Sequence, residues 1–135
     1  MNERFDLEER LLESAARIIR LVERLPVTRA GNHVAGPLLR SGTSPLPNHA
    51  EAQAAESRRD FIHKLKICHK ELQESGRWLR LIQRVPLMPT GEVEPLAAES
   101  QELSRIFASS IRTAKRNQGR GRADPDERWT LNVER

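Results

Sequence analysis

Sulfur and aromatic chemistry are nearly missing from this chain. One cysteine, Cys68, in 135 residues excludes an intrachain disulfide framework. Tyrosine is absent, and Phe5, Phe61, Phe107, Trp78 and Trp129 are the whole aromatic supply, too few for a platform on which successive bases stack. No apolar run approaches the length of a membrane span, and the opening MNERFDLEER is charged where a signal peptide would be apolar. These absences predict a soluble, cytoplasmic chain with no membrane partner.

Catalytic signatures are missing as well. No glycine-rich phosphate loop lies between a strand and a helix. His63, Cys68 and His69 sit close in sequence, but His63 and His69 are six apart and point to different sides of a helix, while Cys68 falls on an apolar seam. His33 and His49 have no partner ligand three or four residues away. Glu51, Glu71 and Glu74 are the carboxylates nearest to core positions, yet the Glu-x-x-His motif of di-iron bundles is not there. The expectation is a non-enzyme with no catalytic residues, no metal and no cofactor.

What the chain does have is charge and helical periodicity. Only 37% of residues are hydrophobic and 31% are charged, the balance of amphipathic helices with wet outer faces. The stretch 57–84, SRRDFIHKLKICHKELQESGRWLRLIQR, carries Phe61, Leu65, Cys68, Leu72, Ser75, Leu79 and Ile82 at alternating spacings of 4 and 3. That is a heptad seam, widened by Ile62 and Trp78 to the stripe of a bundle helix. Ser57 serves as N-cap with Asp60 three residues on, and Pro86 ends the helix.

Residues 6–25 repeat the pattern with Leu7, Leu11, Ala15, Ile18, Val22 and Leu25 on one face and Leu12, Ile19 and Leu21 on its flanks. Asp6, with Glu9 three residues later, predicts the start, and Pro26 the stop. Between Thr28 and Glu56 the glycines and prolines oppose a continuous helix. The pattern there predicts a helix over 28–40, kinked or restarted near Pro37, a break over Ser41–Pro47, and a second helical piece over 48–55. The connector VPLMPTGEVEP follows the long helix, with Thr90 as a cap and Pro95 in the first turn of the last helix. That helix carries Leu96, Leu103, Phe107, Ser110 and Ala114, with Ile106 and Ile111 alongside, and runs from acidic to basic, as the helix dipole favours. Four helical segments with short connectors imply an all-α, antiparallel up-down-up-down four-helix bundle over residues 1–117. The tail 118–135, glycine-rich and charged without a period, is expected to be disordered, with Trp129 and Leu131 as a short docking motif.

The charge is unevenly placed. Net charge is +4 over the chain, but the stretch 57–84 alone holds eight cations against three acids, a local excess of +5. One account is a solvated outer face laced with pairs such as Asp60 and Lys64. The sharper one is a surface for phosphate backbones, made by Lys64, Lys66, Lys70, Arg77 and Arg80 together with Arg112, Lys115 and Arg116 from the basic run 112–122. With so few aromatics, binding of RNA or DNA through this surface is by backbone and shape. The alternative is a protein-interaction module or accessory subunit whose basic face meets an acidic protein partner.

The stretches DLEERLLESAARIIRLVERLP, RRDFIHKLKICHKELQESGRWLRLI and LSRIFASSIRTAKR resemble, in order, the four-helix-bundle proteins named for the intervening sequences of bacterial large-subunit ribosomal RNA genes. The pairs Asp60-Phe61, Lys66-Ile67, Lys70-Glu71, Glu74-Ser75 and Trp78-Leu79 carry most of the likeness, which spans roughly Phe5 to Arg116. The resemblance implies a left-handed bundle, no enzymatic activity, and a homo-oligomer in the form of a ring-like pentamer. It extends distantly to the accessory protein of diversity-generating retroelements, a basic pentameric bundle that binds nucleic acid and a reverse transcriptase. RNA is expected over DNA. The chain departs from the family pattern at RSGTSPLPNHAEA, which keeps Arg40, Ser41, Asn48 and Glu51 but inserts Pro45 and Pro47.

Overall fold

Caps and prolines divide the chain into helices α1 (Glu3–Glu23), α2 (Arg29–Thr43), α3 (Pro45–Gln53), α4 (Arg58–Arg84) and α5 (Thr90–Gly119). The computed structural model describes residues 3–119, with side chains from Asp6 to Gln118. The expected tail with Trp129 and Leu131 lies outside the described residues, apart from Gln118 and Gly119, which extend α5. Among the described residues there is no strand, and no helix is long and apolar enough to cross a membrane.

Helix α4 starts where its cap predicts. Ser57 adopts extended backbone angles and its hydroxyl accepts from the Asp60 N–H at 3.0 Å. Thr28 caps α2 in the same manner, accepting from the Gly31 N–H at 3.0 Å. Each cap satisfies one of the first-turn N–H groups that no helical carbonyl can reach.

Four boundaries differ from the sequence expectation. Helix α1 begins at Glu3, so Asp6 is a helical residue rather than its cap. The break expected over Ser41–Pro47 shrinks to Ser44, whose φ of −57° and ψ of −39° are themselves helical. Pro45 and Pro47 fit because they fall in the first turn of α3, where missing N–H groups cost least, and α2 and α3 then act as one rod. Pro37 sits inside α2 without ending it. Helix α5 begins at Thr90, so Pro95 lies in its second turn and leaves the Gly91 carbonyl without its i+4 donor.

Two apolar clusters form the core. The first joins Leu7 and Leu11 of α1, Ala52 of α3, Phe61 to Leu72 of α4 and Leu103 to Ala114 of α5. The second joins Ile18, Leu21 and Leu25, Val34 and Leu38 of α2, Leu79 and Ile82 of α4, and Met88, Val93 and Leu96. All seven seam positions of α4 are buried, Leu65, Cys68, Leu79 and Ile82 completely so. On α1, Leu21 is buried and Val22 only half-buried, while the flank residues Leu12 and Ile19 stay exposed. Ion pairs tie the rods at their edges. Arg10 grips Glu99 of α5 through two bonds of 3.0 and 2.8 Å, and this hydrogen bonding raises the Arg10 pKa above its ordinary value.

Candidate nucleic-acid interface

Helix α4 buries its seam and thereby presents the opposite side to water. Arg59, Lys66, Lys70, Arg77, Arg80 and Arg84 are all exposed there. Their spacings of 7, 4, 7, 3 and 4 keep them in one row. At about 1.5 Å per residue the row is about 38 Å long. None of the six forms an ion pair with another described residue, whereas Arg10, Arg20, Arg24, Arg40, Lys64 and Arg105 do. Two neutral side chains stand in the row, His63 between Arg59 and Lys66 and Gln73 between Lys70 and Arg77, both exposed.

Helix α5 packs beside this row and adds exposed Arg112, Lys115 and Arg116. Lys66 and Lys115 come close across the helix pair, and this side-chain contact, with the like charge it brings, lowers the Lys66 pKa. One turn along, half-buried His69 is held below the usual histidine range, by desolvation first and by the charge of Arg112 second. Two like charges held this close favour an anion between them.

Of the eight basic residues singled out in the sequence, seven are exposed on the α4–α5 side or the end of α5. Lys64 is the exception. It is half-buried on the side of α4 that meets α3, where it pairs with Glu51 at 3.3 Å. The pairing with Asp60 expected from their i, i+4 spacing is replaced by this cross-helix one. Arg59 and Arg84 take its place in the row.

The polar groups on the other sides of α4 bind each other. Arg40 reaches from α2 to the Glu71 carboxylate at 3.2 and 3.0 Å and also contacts Glu74. Glu74 accepts in addition from the Trp78 indole N–H at 3.3 Å. Beneath them the Ser75 and Ser41 hydroxyls meet at 3.0 Å. These carboxylates are thus occupied in joining α2 to α4. Cys68 is sealed in the core with its sulfur 3.6 Å from the Pro45 carbonyl, and burial pushes its thiol up to about 12, so it is not a ready nucleophile. His63 is exposed on a different side of α4 from Cys68. Among the described residues no three histidine, cysteine or acidic side chains come together as a metal site.

An all-helical protein with a one-sided basic row along α4 is what the geometry defines. A family model described as 23S rRNA-intervening sequence protein matches residues 3–109, and the chain belongs to that family. It is similar to a crystal structure from Bacteroides thetaiotaomicron VPI-5482, a protein with unknown function from the S23 ribosomal protein family. The two share 33% identity with a TM-score of 0.75, over 82% of this chain and 99% of that one. No curated protein matches the chain.

Proposed function

We propose that this chain is a non-enzymatic protein that binds nucleic acid through phosphate contacts along the outer side of α4 and the basic end of α5. The observation that carries the proposal is the row from Arg59 to Arg84, exposed and without ion-pair partners among the described residues, facing Lys115 and Arg112 on the neighbouring helix. Six cations elsewhere on the fold, Arg10, Arg20, Arg24, Arg40, Lys64 and Arg105, are engaged in ion pairs, whereas a row left unpaired at this density is free to replace the counterions of a polyanion. RNA is proposed over DNA as the polyanion.

The proposal includes an antiparallel up-down-up-down arrangement with left-handed twist. The antiparallel order is supported by the first core cluster, which mixes the start of α1 and α4 with the end of α5, and by the second, which mixes the opposite ends, while the left-handed twist rests on the family resemblance. It also includes a homo-oligomer, a pentamer by family resemblance. Exposed Leu12, Ile19 and Leu39 supply apolar surface for contacts between copies. Such a ring would multiply the basic rows around one axis.

Filter binding of a labelled single-stranded RNA between 50 and 200 mM KCl tests the function. Affinity should fall steeply with salt, by about 50-fold if four phosphates are engaged at a slope of about 0.7 each. Affinity indifferent to salt would end the reading, and co-purification of an acidic protein that survives nuclease would favour the alternative partner. Light scattering decides the oligomer, with a mass of one 15.4 kDa chain counting against it.

A further inference from the structure

The basic surface is not uniform. Along α4 the exposed cations stand singly, three to seven residues apart, which is about 4.5–10.5 Å along the helix. Near the end of α5 they crowd. Lys66 of α4 is in contact with Lys115 of α5, and His69, one turn along, feels the charge of Arg112. Exposed Lys70 and Arg116 each lie one turn away, beside Lys66 and Arg112 on their own helices.

The dipole of α5 favours cations in its last turns, so Arg112, Lys115 and Arg116 alone would need no other explanation. It does not explain why Lys66 and Lys70, from the first half of another helix, are set against them. Carboxylates could have neutralised the cluster, as Glu99 does for Arg10 and Glu51 does for Lys64. Among the described residues no acid forms an ion pair with Lys66, Lys70, Arg112, Lys115 or Arg116. The groups that perturb Lys66 and His69 are likewise cations, together with burial, and no carboxylate offsets them.

Charge density says what kind of group fits. A phosphodiester inside a strand carries one negative charge, which a single cation of the row can meet. A phosphate monoester carries about −1.5 to −2 at neutral pH, on three strong acceptor oxygens. It is matched by two or more donors converging on one point. Lys66 and Lys115 are such a pair, each ammonium with three N–H donors, and Arg112 adds a planar fork that can take two oxygens at once. In a nucleic acid strand, a phosphate monoester is a terminal phosphate.

Resting on the nucleic-acid reading above, we propose that Lys66, Arg112 and Lys115 form a site for the terminal phosphate of a bound strand, so that the protein holds the strand end there and the backbone along α4.

The test is competition fluorescence anisotropy at fixed salt and about pH 7.5, where a monoester is mostly dianionic. Three unlabelled 12-nucleotide RNAs of one sequence, ending in a 5′-phosphate, a 3′-phosphate or hydroxyls at both ends, displace a labelled hydroxyl-ended strand. At least one phosphate-ended strand should bind roughly tenfold more tightly than the hydroxyl-ended one, the worth of a charge-assisted contact. Arg112→Gln combined with Lys115→Gln, at exposed positions, should abolish that preference while the hydroxyl-ended strand still binds. Arg80→Gln combined with Arg84→Gln removes the same charge from the far end of the row, and should weaken all three strands while keeping the preference. Equal affinity of the wild type for the three strands overturns the inference and leaves the backbone reading standing. A preference that survives the Arg112 and Lys115 changes, or that is lost equally on changing Arg80 and Arg84, overturns it too. Failure of the wild type to bind any strand removes the backbone reading and this inference together.

Discussion

Replacing Gly42 by alanine should loosen the joint between α1 and α2. A Cβ at this position would stand 2.6 Å from the Ile18 Cδ1, 2.7 Å from its Cγ2 and 3.2 Å from its Cβ. Carbon atoms pack at about 3.5–4.0 Å, so contacts on both branches of the isoleucine are too short. Rotating one branch away leaves the other. Ile18 is 1% exposed within the second core cluster and has nowhere to withdraw. Overpacking of this kind costs about 1–3 kcal/mol, while alanine gains about 1 kcal/mol of helix propensity over glycine. With both branches of Ile18 under 3.0 Å the cost lies in the upper part of that range, about 2–3 kcal/mol, which leaves a net loss of about 1–2 kcal/mol. Thermal unfolding followed by circular dichroism should show Tm lowered by about 4–10 °C, taking about 4–5 °C per kcal/mol for a domain of this size. Gly91→Ala is the control, because a Cβ at Gly91 meets nothing within 4 Å and the residue lies in the exposed first turn of α5. It should keep or raise Tm. Adding Ile18→Val to Gly42→Ala removes Cδ1 and should recover part of the loss. A Gly42→Ala protein as stable as wild type would refute the idea that glycine sets the distance between these helices.

Three further outcomes are expected. Ser57→Ala should cost about 1 kcal/mol in urea unfolding by leaving the Asp60 N–H without its cap, and Ser57→Asp should restore most of it. Glu99→Ala should cost about 1 kcal/mol by releasing Arg10, a pair only partly exposed, with the loss shrinking in a double-mutant cycle with Arg10→Ala. The Cys68 thiol, raised to about 12 in the fold, makes stability fall as pH climbs. Its folded pKa lies above its unfolded one, so its contribution is complete below about pH 8.5–9 and is lost progressively toward pH 12. Relative to Cys68→Ala, wild type should lose about 1.4 kcal/mol between pH 8 and pH 10, and a constant difference across that range would contradict the assignment.

The long helix was legible because its seam is redundant. Seven apolar or small positions agree on one period, so all seven are buried, and the cap at Ser57 and the stop before Pro86 follow from local chemistry. The second rod was not, because Pro45 and Pro47 read as breakers unless it is known that a helix restarts at Pro45. Only packing of Leu38, Pro45, His49 and Ala52 against the rest of the fold decides that they continue one rod. Pro95 was misplaced for the same reason, since a first turn could begin at Thr90 or at Pro95 with equal local logic. Among the basic residues, Lys64 was grouped with the others by counting charge without rotation. Two residues short of Lys66, it lies round the helix and meets Glu51. The close approach of α4 and α5 left one trace in the sequence, a glycine in the middle of a strong helix; that Gly76 lies opposite Ser100, 24 residues further on, depends on how the two helices align, which no local pattern encodes.

The salt dependence of RNA binding by a protein lacking the centre of the basic row is the most direct test of the account. Lys66, Lys70, Arg77 and Arg80 are changed together to glutamine, with Arg17, Arg20, Arg24 and Arg29, outside α4 and α5, changed together to glutamine as the charge-matched control. If the row holds phosphates, the slope of log Kd against log salt for a single strand should shrink by about 0.7 per lost contact, close to 3 for all four, while the control keeps the wild-type slope. Equal slopes in wild type and the fourfold variant would contradict the claim that the outer side of α4 is where the polyanion lies.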